Sequence, residues 1–255
     1  MEGTCPLFDI RNLSKVFPGG NTALDGVNLE ITEGECLFIA GSNGSGKTIL
    51  MRILAGLLDA SGGELLFRGK PLAQALTGAG NFRQELGIVF QEAPFVGETV
   101  EEDVSFGPSN LALGKEEVRE RTEEALARTG LLEKRSFAPR RLSGGEKRRL
   151  ALAGVLAMNC RIIIMDEPFA NLDWPGVVQV LRCVAALKAE GKTLIILTHE
   201  LEKALALGDR LVILDRGKIR DGGKPEEVLD RLPPGCGVRD PRRSCRGVED
   251  CSWLD

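Results

Sequence analysis

The sequence lacks several features that would place it in a special class of protein. Among its 255 residues no apolar run approaches the roughly eighteen that a membrane-spanning helix needs. The start, MEGTCPLFDI, has no basic region followed by an apolar core. Basic and acidic residues nearly balance, 33 against 37, and a net charge of −4 gives no general attraction to nucleic acid or anionic lipid. We therefore expect a cytoplasmic globular protein without a nucleic-acid partner.

The cysteines and the single histidine do not form any of the usual metal-binding or redox patterns. The chain has seven cysteines but no CxxC pair, and it has one histidine and no tyrosine. Four cysteines fall in or beside apolar segments, where a reduced thiol packs as a small hydrophobe. These are Cys5, Cys36, Cys160 and Cys183. The other three, Cys236, Cys245 and Cys251, have spacings that fit none of the usual zinc patterns. The cysteines therefore favour packing over a metal site.

Short apolar runs predict the order of the strands and helices. LFDIRNLSKVF, TALDGVNLEI and ECLFIA predict antiparallel strands that lead into a glycine-rich loop. ELGIVFQ, RIIIMDEP and KTLIILTHE predict further strands, and these alternate with helical stretches. Because such alternation is typical of parallel sheets, we expect an α/β fold.

Two other stretches depart from this pattern. Between Gln91 and Cys160 the periodicity is helical, which predicts an α-helical subdomain over about residues 92–158, inserted into the α/β core. Residues 231–255 are rich in proline, glycine and arginine, which predicts a flexible or lightly packed tail.

The stretch GSNGSGKT, residues 41–48, has the phosphate-loop pattern at a strand-to-helix junction. Its glycines let backbone N–H groups approach the phosphates of a nucleotide closely at the start of a helix. Lys47 is then expected to reach the β- and γ-phosphates, and the Thr48 hydroxyl to bind Mg²⁺. The loop residues expected to hold the nucleotide are Gly41, Ser42, Asn43, Gly44, Ser45 and Gly46.

Two adjacent acids end the apolar strand RIIIMDE. In a phosphate-loop enzyme, Asp166 is expected to hold Mg²⁺, directly or through water, and Glu167 to act as the general base on the attacking water. Farther back, RLSGGEKRRLALAGVLAM places Ser143, Gly144 and Gly145 at the start of a helix, where the helix dipole suits an anion.

The phosphate loop, LSGG and IIIMDEP together resemble the ATP-binding-cassette ATPase family, in order and spacing from Leu7 to about Leu229. The resemblance implies one ATP-binding domain over residues 5–230, with a RecA-like core, an N-terminal antiparallel β subdomain and an inserted helical subdomain. It implies ATP and Mg²⁺ as cofactors. It further implies two cassettes head to tail, so that Ser143 to Gly145 of one subunit contact the γ-phosphate held by Lys47 of the other.

Other family motifs are carried over by the same resemblance. Gln91 matches the glutamine that contacts Mg²⁺ and the attacking water and links the site to a membrane partner. Asn171, Leu172 and Asp173 match the loop that crosses the dimer interface. His199 matches the switch histidine at the γ-phosphate, and Phe17 the aromatic residue on which adenine stacks, where tyrosine is commoner.

Two positions depart from the family pattern. Glu146 follows LSGG where glutamine is common, and we expect little change because Ser143 and the helix start remain. Trp174 follows the interface loop where a small or polar residue is usual, and such a ring could alter dimer packing. Neither substitution removes a predicted catalytic group.

The segment FQEAPFVGETVEEDVSFGPSNLALGKEEV narrows the choice within the family. It is similar to ATPases of cobalt, nickel and vitamin importers of the energy-coupling-factor type. That resemblance implies a peripheral ATPase subunit at the cytoplasmic face of the membrane, with a second ATPase subunit, an integral-membrane coupling protein and a substrate-binding membrane protein as partners. The acids expected to face arginines of the coupling protein are Glu98, Glu101, Glu102 and Asp103.

Two alternatives belong to other functional classes. A soluble cassette ATPase can drive DNA repair or iron–sulfur assembly, although repair members carry a long coiled-coil insertion that this sequence lacks. A translation or regulatory factor usually carries two cassettes, whereas this sequence shows one. Co-purification with a small membrane protein would separate an importer subunit from a soluble machine.

Overall fold

The computed structural model describes residues 5–77, 82–91, 94–203, 205–232 and 235–242. Contacts divide the chain into two units, residues 1–82 with 195–255, and residues 83–194. Among the described residues, none of the helices is both long and apolar enough to cross a membrane. Two of the tail cysteines, Cys245 and Cys251, lie outside the described residues.

The described residues contain ten strands. They are β1 Phe8–Val16, β2 Thr22–Ile31, β3 Cys36–Ala40, β4 Gly62–Phe67, β5 Lys70–Pro71, β6 Leu86–Val89, β7 Ile162–Asp166, β8 Thr193–Thr198, β9 Arg210–Asp215 and β10 Lys218–Gly223. The same residues contain eight α-helices. They are α1 Lys47–Leu54, α2 Leu72–Thr77, α3 Phe82–Glu85, α4 Val100–Ser109, α5 Lys115–Arg128, α6 Gly144–Met158, α7 Trp174–Ala189 and α8 Pro225–Asp230.

The first unit begins with an antiparallel sheet. Strand β1 pairs with β2 on one side and with β4 on the other, and β5 extends the sheet beyond β4. Three aromatic rings pack beside it, with 5.3 Å between the ring centroids of Phe8 and Phe67 and 4.9 Å between those of Phe67 and Phe82. The predicted antiparallel pairing is confirmed for LFDIRNLSKVF and TALDGVNLEI, whereas ECLFIA forms β3, which pairs in parallel with β9.

Strand β3 belongs to a second group of strands in the first unit, together with β9 and β10. All five of its residues are apolar and buried, as expected for a strand covered on both faces. It runs parallel to β9, with Ala40 opposite Ile213. Strand β9 then turns back into β10 through Arg216 and Gly217, whose φ angles of 46° and 76° fit a tight hairpin turn.

The second unit combines a parallel strand pair with packed helices. Strand β6 runs parallel to β7, from Leu86 opposite Ile162 onward. Helices α4, α5 and α6 share an apolar core, which includes Val104, Leu126 and Leu150. The parallel α/β fold is therefore confirmed. The limits of about 92 and 158 for a helical subdomain, and the division at residue 230, stay predictions.

Candidate functional site

The predicted phosphate loop connects β3 to α1 in the first unit. Two of its glycines are required by their surroundings. A Cβ atom on Gly41 would lie 2.1 Å from the backbone oxygen of Leu214. One on Gly46 would lie 2.6 Å from the backbone oxygen of Ala23, and Gly46 also has φ = 108°, which side chains rarely adopt. The loop therefore has its shape because glycine occupies these two positions.

The ammonium group of Lys47 folds onto the loop itself. Its Nζ donates to the backbone oxygens of Gly41 (2.7 Å) and Ser42 (3.0 Å), and the side chain is buried. The Ser45 hydroxyl is also buried and has no hydrogen-bond partner among the described residues. A buried cation, an unsatisfied hydroxyl and the positive end of α1 suit a phosphate group. These residues fit the anionic part of a nucleotide.

The rest of the predicted motif lies around this centre. Asn43 and Gly44 are exposed in the outer part of the loop, and Thr48 is half-buried in the first turn of α1. A threonine hydroxyl supplies the oxygen ligand that Mg²⁺ prefers, as do the side chains of Gln91 and Asp166 in the second unit. The three predicted metal-binding residues therefore have the right donor atoms.

Two further predicted residues belong to the first unit. Phe17 is half-buried in the turn between β1 and β2, with the Nζ atom of Lys15 5.3 Å from its ring centroid. His199 follows directly after β8 and is exposed. Adenine stacking on Phe17 and γ-phosphate contact by His199 stay predictions.

The acidic pair lies at the end of β7 in the second unit. Asp166 and Glu167 are 3% and 5% exposed. Glu167 has φ = 51°, a left-handed backbone conformation that is uncommon for a residue with a side chain. Its backbone oxygen accepts a hydrogen bond from the Ala170 N–H (3.2 Å). Strained backbone of this kind concentrates at functional sites, because the surrounding structure must hold it in place.

A residue that the sequence analysis missed helps to hold this backbone. The guanidinium of Arg148, on α6, donates to the backbone oxygen of Glu167 and to that of Gln91, the latter at 3.2 Å. One side chain therefore joins the helix that follows LSGG to the glutamine segment and the acidic pair. The only sequence signal was the basic run KRR, which does not reveal that a backbone carbonyl is the acceptor.

The LSGG helix starts as predicted. Ser143 is the N-cap of α6, and its hydroxyl accepts a hydrogen bond from the Glu146 N–H (3.3 Å). The Glu146 carboxylate accepts in return from the Ser143 N–H (2.9 Å) and pairs with Lys134. The Lys134 hydrogen bond, followed by that of the Ser143 N–H, lowers the pKa of Glu146. Glutamate at this position therefore completes a capping box.

The predicted interface loop lies against the same helix start. A Cβ atom on Gly145 would lie 3.1 Å from Cδ2 of Leu172, whereas one on Gly144 would meet nothing within 4 Å. Asp173 caps α7 by accepting from the Gly176 N–H (3.0 Å), and the following Trp174 is 69% exposed. Gly144 and Trp174 therefore lie open on the surface of this chain.

The acids at the start of α4 have partners within the chain. Glu101 pairs with Arg135, which lowers the pKa of Glu101 chiefly by hydrogen bonding. Glu102 completes a capping box with Thr99. The Asp103 carboxylate accepts from the backbone N–H groups of residues 96 and 97, at 2.6 and 3.1 Å. Glu98 lies on the exposed surface. The acidic stretch therefore stabilises its own helix start.

The chain matches the ABC transporter family over residues 24–170, more than half of its length. It is 44% identical to the energy-coupling factor transporter ATP-binding protein EcfA of Methanosarcina acetivorans, over 88% of this chain and 81% of that protein. It is 40% identical to the cobalt import ATP-binding protein CbiO of Rhodobacter capsulatus, over 92% of this chain and 86% of that protein. The chain belongs to the ABC transporter family.

Solved structures agree with this assignment. CbiO1 from Clostridium perfringens, part of the ABC transporter complex CbiONQ, superposes with a TM-score of 0.78 at 35% identity, over 88% of this chain and 91% of that one. A dimeric ATP-binding cassette in a post-hydrolysis state, with ADP and phosphate bound, gives 0.76 at 28% identity, over 85% and 98%. The predicted cassette fold is confirmed, and this family member is an ATPase.

Proposed function

We propose that this ABC ATPase is the ATP-hydrolysing subunit of an importer of the energy-coupling-factor type, and that the importer takes up cobalt, nickel or a vitamin. The observation that carries the proposal is its 40–44% identity, along most of the chain, to proteins named for energy-coupling factor transport and cobalt import. A separate membrane protein selects the solute, and this chain supplies the energy.

In this proposal the residues of each motif have separate roles. Lys47 exchanges its contacts with loop carbonyls for the β- and γ-phosphates of ATP, and the loop N–H groups hold the remaining phosphate oxygens. Glu167 accepts the proton of the attacking water, oriented by Gln91 and His199. Thr48, Gln91 and Asp166 would hold Mg²⁺, which would supply positive charge to the phosphate oxygens. Phe17 stacks on adenine.

The proposal includes a second cassette, either another copy of this chain or a related subunit. The exposed LSGG helix start supports it, because Ser143 and Gly144 lie open to a nucleotide bound by another molecule. The dimeric cassette with ADP and phosphate is a similar protein in such an assembly. The pair would sit at the cytoplasmic face of the membrane, bound to an integral-membrane coupling protein through the region of α4.

Co-purification from detergent-solubilised membranes tests the proposal. The tagged chain, expressed in its own cells, is expected to bring down a small integral-membrane protein together with a solute-binding membrane protein. A Lys47→Ala chain serves as the control, because assembly should not require nucleotide. Recovery of soluble proteins alone would favour a cassette ATPase that drives no transport. Uptake of labelled cobalt, nickel and vitamins by cells with and without the gene would then identify the solute.

A further inference from the structure

The segment Gly235–Arg242 follows α8 and contacts the phosphate loop. Three of its side chains are buried: Cys236 and Asp240 are 3% and 7% exposed, and Val238 is 8% exposed. The Arg242 guanidinium donates to both carboxylate oxygens of Asp240, each at 3.0 Å, and to that of Asp230 at the end of α8 (2.8 Å). These contacts attach the segment to the first unit.

The contact with the loop is made by a glycine. A Cβ atom placed on Gly237 would lie 2.5 Å from Cβ of Ser42, 3.3 Å from its Cα and 3.4 Å from its Oγ. Ordinary contact begins near 3.4 Å, so any side chain at Gly237 would require a displacement of about 1 Å. The segment therefore touches the second residue of the phosphate loop as closely as its backbone allows.

The position of Ser42 affects the ammonium group of Lys47, which is predicted to bind phosphate. The backbone oxygen of Ser42 accepts from Lys47 Nζ (3.0 Å) and from the Ser45 N–H (3.2 Å). A shift of Ser42 would move the loop around the buried ammonium. Since binding groups lose much of their effect when displaced by about 1 Å, the packing of the segment matters for the nucleotide.

From this packing we propose that residues 236–242 support the phosphate loop, with Gly237 as a positioning residue that sets Ser42, and through it Lys47, for ATP. This inference rests on the proposed nucleotide site and extends it to a segment beyond the family motifs. The segment supports nucleotide binding in this proposal and does not occlude the loop.

The chain offers a matched control. Gly235 has φ = 69° and Gly237 has φ = 68°, so alanine would face the same unfavourable φ at both positions. A Cβ atom on Gly235 would meet nothing within 4 Å, unlike one on Gly237. The difference between Gly237→Ala and Gly235→Ala therefore isolates the contact with Ser42 from backbone strain.

The experiment measures ATP affinity of the full chain by titration, with thermal melting in parallel. Gly237→Ala is expected to weaken ATP binding by about tenfold or more, and Gly235→Ala by no more than about twofold, at similar melting temperatures. In steady-state turnover, the weaker ATP binding of Gly237→Ala should appear mainly as a higher KM. Equal affinities for the two variants, or tighter binding by Gly237→Ala, would overturn the inference.

A double-mutant comparison guards against a folding defect. Ser42→Gly removes the atom that an alanine at Gly237 would meet first, so the Gly237→Ala penalty should shrink to about twofold or less in that background. A penalty unchanged in the Ser42→Gly background would also overturn the inference. If the wild-type chain bound no ATP, or Lys47→Ala bound it equally well, the proposed nucleotide site itself would fail, which is a different result.

Discussion

Arg148 donates a hydrogen bond to the backbone oxygen of Glu167, a residue with a left-handed backbone conformation. The second contact of the same guanidinium is the backbone oxygen of Gln91 (3.2 Å). Because these acceptors are backbone atoms, they are present whatever side chains occupy those positions. The helix that begins with LSGG is thereby connected to two segments that carry predicted catalytic residues.

Arg148→Lys is expected to lower kcat by about tenfold, because a single ammonium cannot reproduce the fork of the guanidinium and Glu167 loses its fixed orientation. ATP affinity should remain near that of the wild type. The control is Arg149→Lys, since Arg149 donates instead to the Thr129 backbone oxygen (2.9 Å). Single-turnover hydrolysis and nucleotide titration provide the measurements. Equal effects of the two variants on kcat would contradict a positioning role.

Glu167→Gln is expected to bind ATP normally and hydrolyse it about 100-fold more slowly or worse, because the phosphate contacts survive while the water loses its base. The variant should accumulate as an ATP-bound dimer on size-exclusion chromatography. Lys47→Ala should instead weaken ATP binding itself. Near-normal turnover by Glu167→Gln would contradict the assignment of Glu167 as the general base. Unchanged ATP affinity in Lys47→Ala would contradict the assignment of the phosphate loop.

Mixing two inactive variants tests whether Ser143 acts on the nucleotide of a partner subunit. A Ser143→Arg subunit mixed with a Lys47→Ala subunit should place both defects in one composite site and leave the other intact. Part of the ATPase activity should therefore return. Differently tagged subunits and tandem purification establish that mixed dimers are present. No recovery in that preparation would count against the head-to-tail arrangement or against independent sites.

To test whether the acids at the start of α4 contact the membrane partner, a substitution is needed that leaves the start of the helix intact. Changing Glu101, Glu102 and Asp103 together to lysine would break the contacts that stabilise the helix start, and it would also reverse the charge of the surface. Glu98→Lys changes an exposed acid, so it should preserve melting temperature and ATP binding while weakening pull-down of the membrane component at low salt. Exposed pairs contribute only about 0–1 kcal/mol and are screened by salt, so the effect should fade at high salt.

The control for Glu98→Lys is Glu226→Lys, which reverses an exposed acid in the first turn of α8 in the other unit. If both variants assembled equally well at low salt, the acidic start of α4 would have only its local role in the helix. The importer proposal would then rest on the overall similarity alone.

The pH dependence of stability should reveal the pair formed by Lys134 and Glu146. Because the folded-state pKa of Glu146 is lowered from 4.5, the pair stabilises the fold above that value, and the contribution disappears as pH falls through the lowered pKa. Glu146→Gln should therefore be less stable than the wild type at neutral pH by up to about 1 kcal/mol and should match it at a pH well below the lowered pKa of Glu146. Denaturant unfolding at both pH values checks this; a constant difference would assign the effect to the cap alone.

Residue patterns predicted the fold well where local signals are strong. The GSNGSGKT junction and the apolar strand IIIMD fixed the positions of β3, α1 and β7, because a buried strand and a helix start each have a distinct local signature. The hairpin through Arg216 and Gly217 was missed, although a residue pair with positive φ is typical of such turns.

Other features depend on contacts between distant segments. The interactions of Arg148 with two backbone oxygens, and of Gly237 with Ser42, join residues 19 to 195 positions apart in sequence. No periodicity or motif in the sequence predicts such contacts. The backbone acceptors of Arg148, and the narrow space between Gly237 and Ser42, exist only once distant segments have folded together. The same holds for Glu101, whose partner Arg135 lies 34 positions away.

The two hydrogen bonds of Lys47 to its own loop have a consequence for discrimination among anions. An anion that replaces the Gly41 or Ser42 carbonyl at the ammonium competes with the protein chain itself. A sulfate or free phosphate ion offers few further contacts to offset that exchange. A chain of three phosphates would reach the ammonium and the loop N–H groups together. We therefore expect the loop to prefer the triphosphate of a nucleotide to the small inorganic anions of the cell.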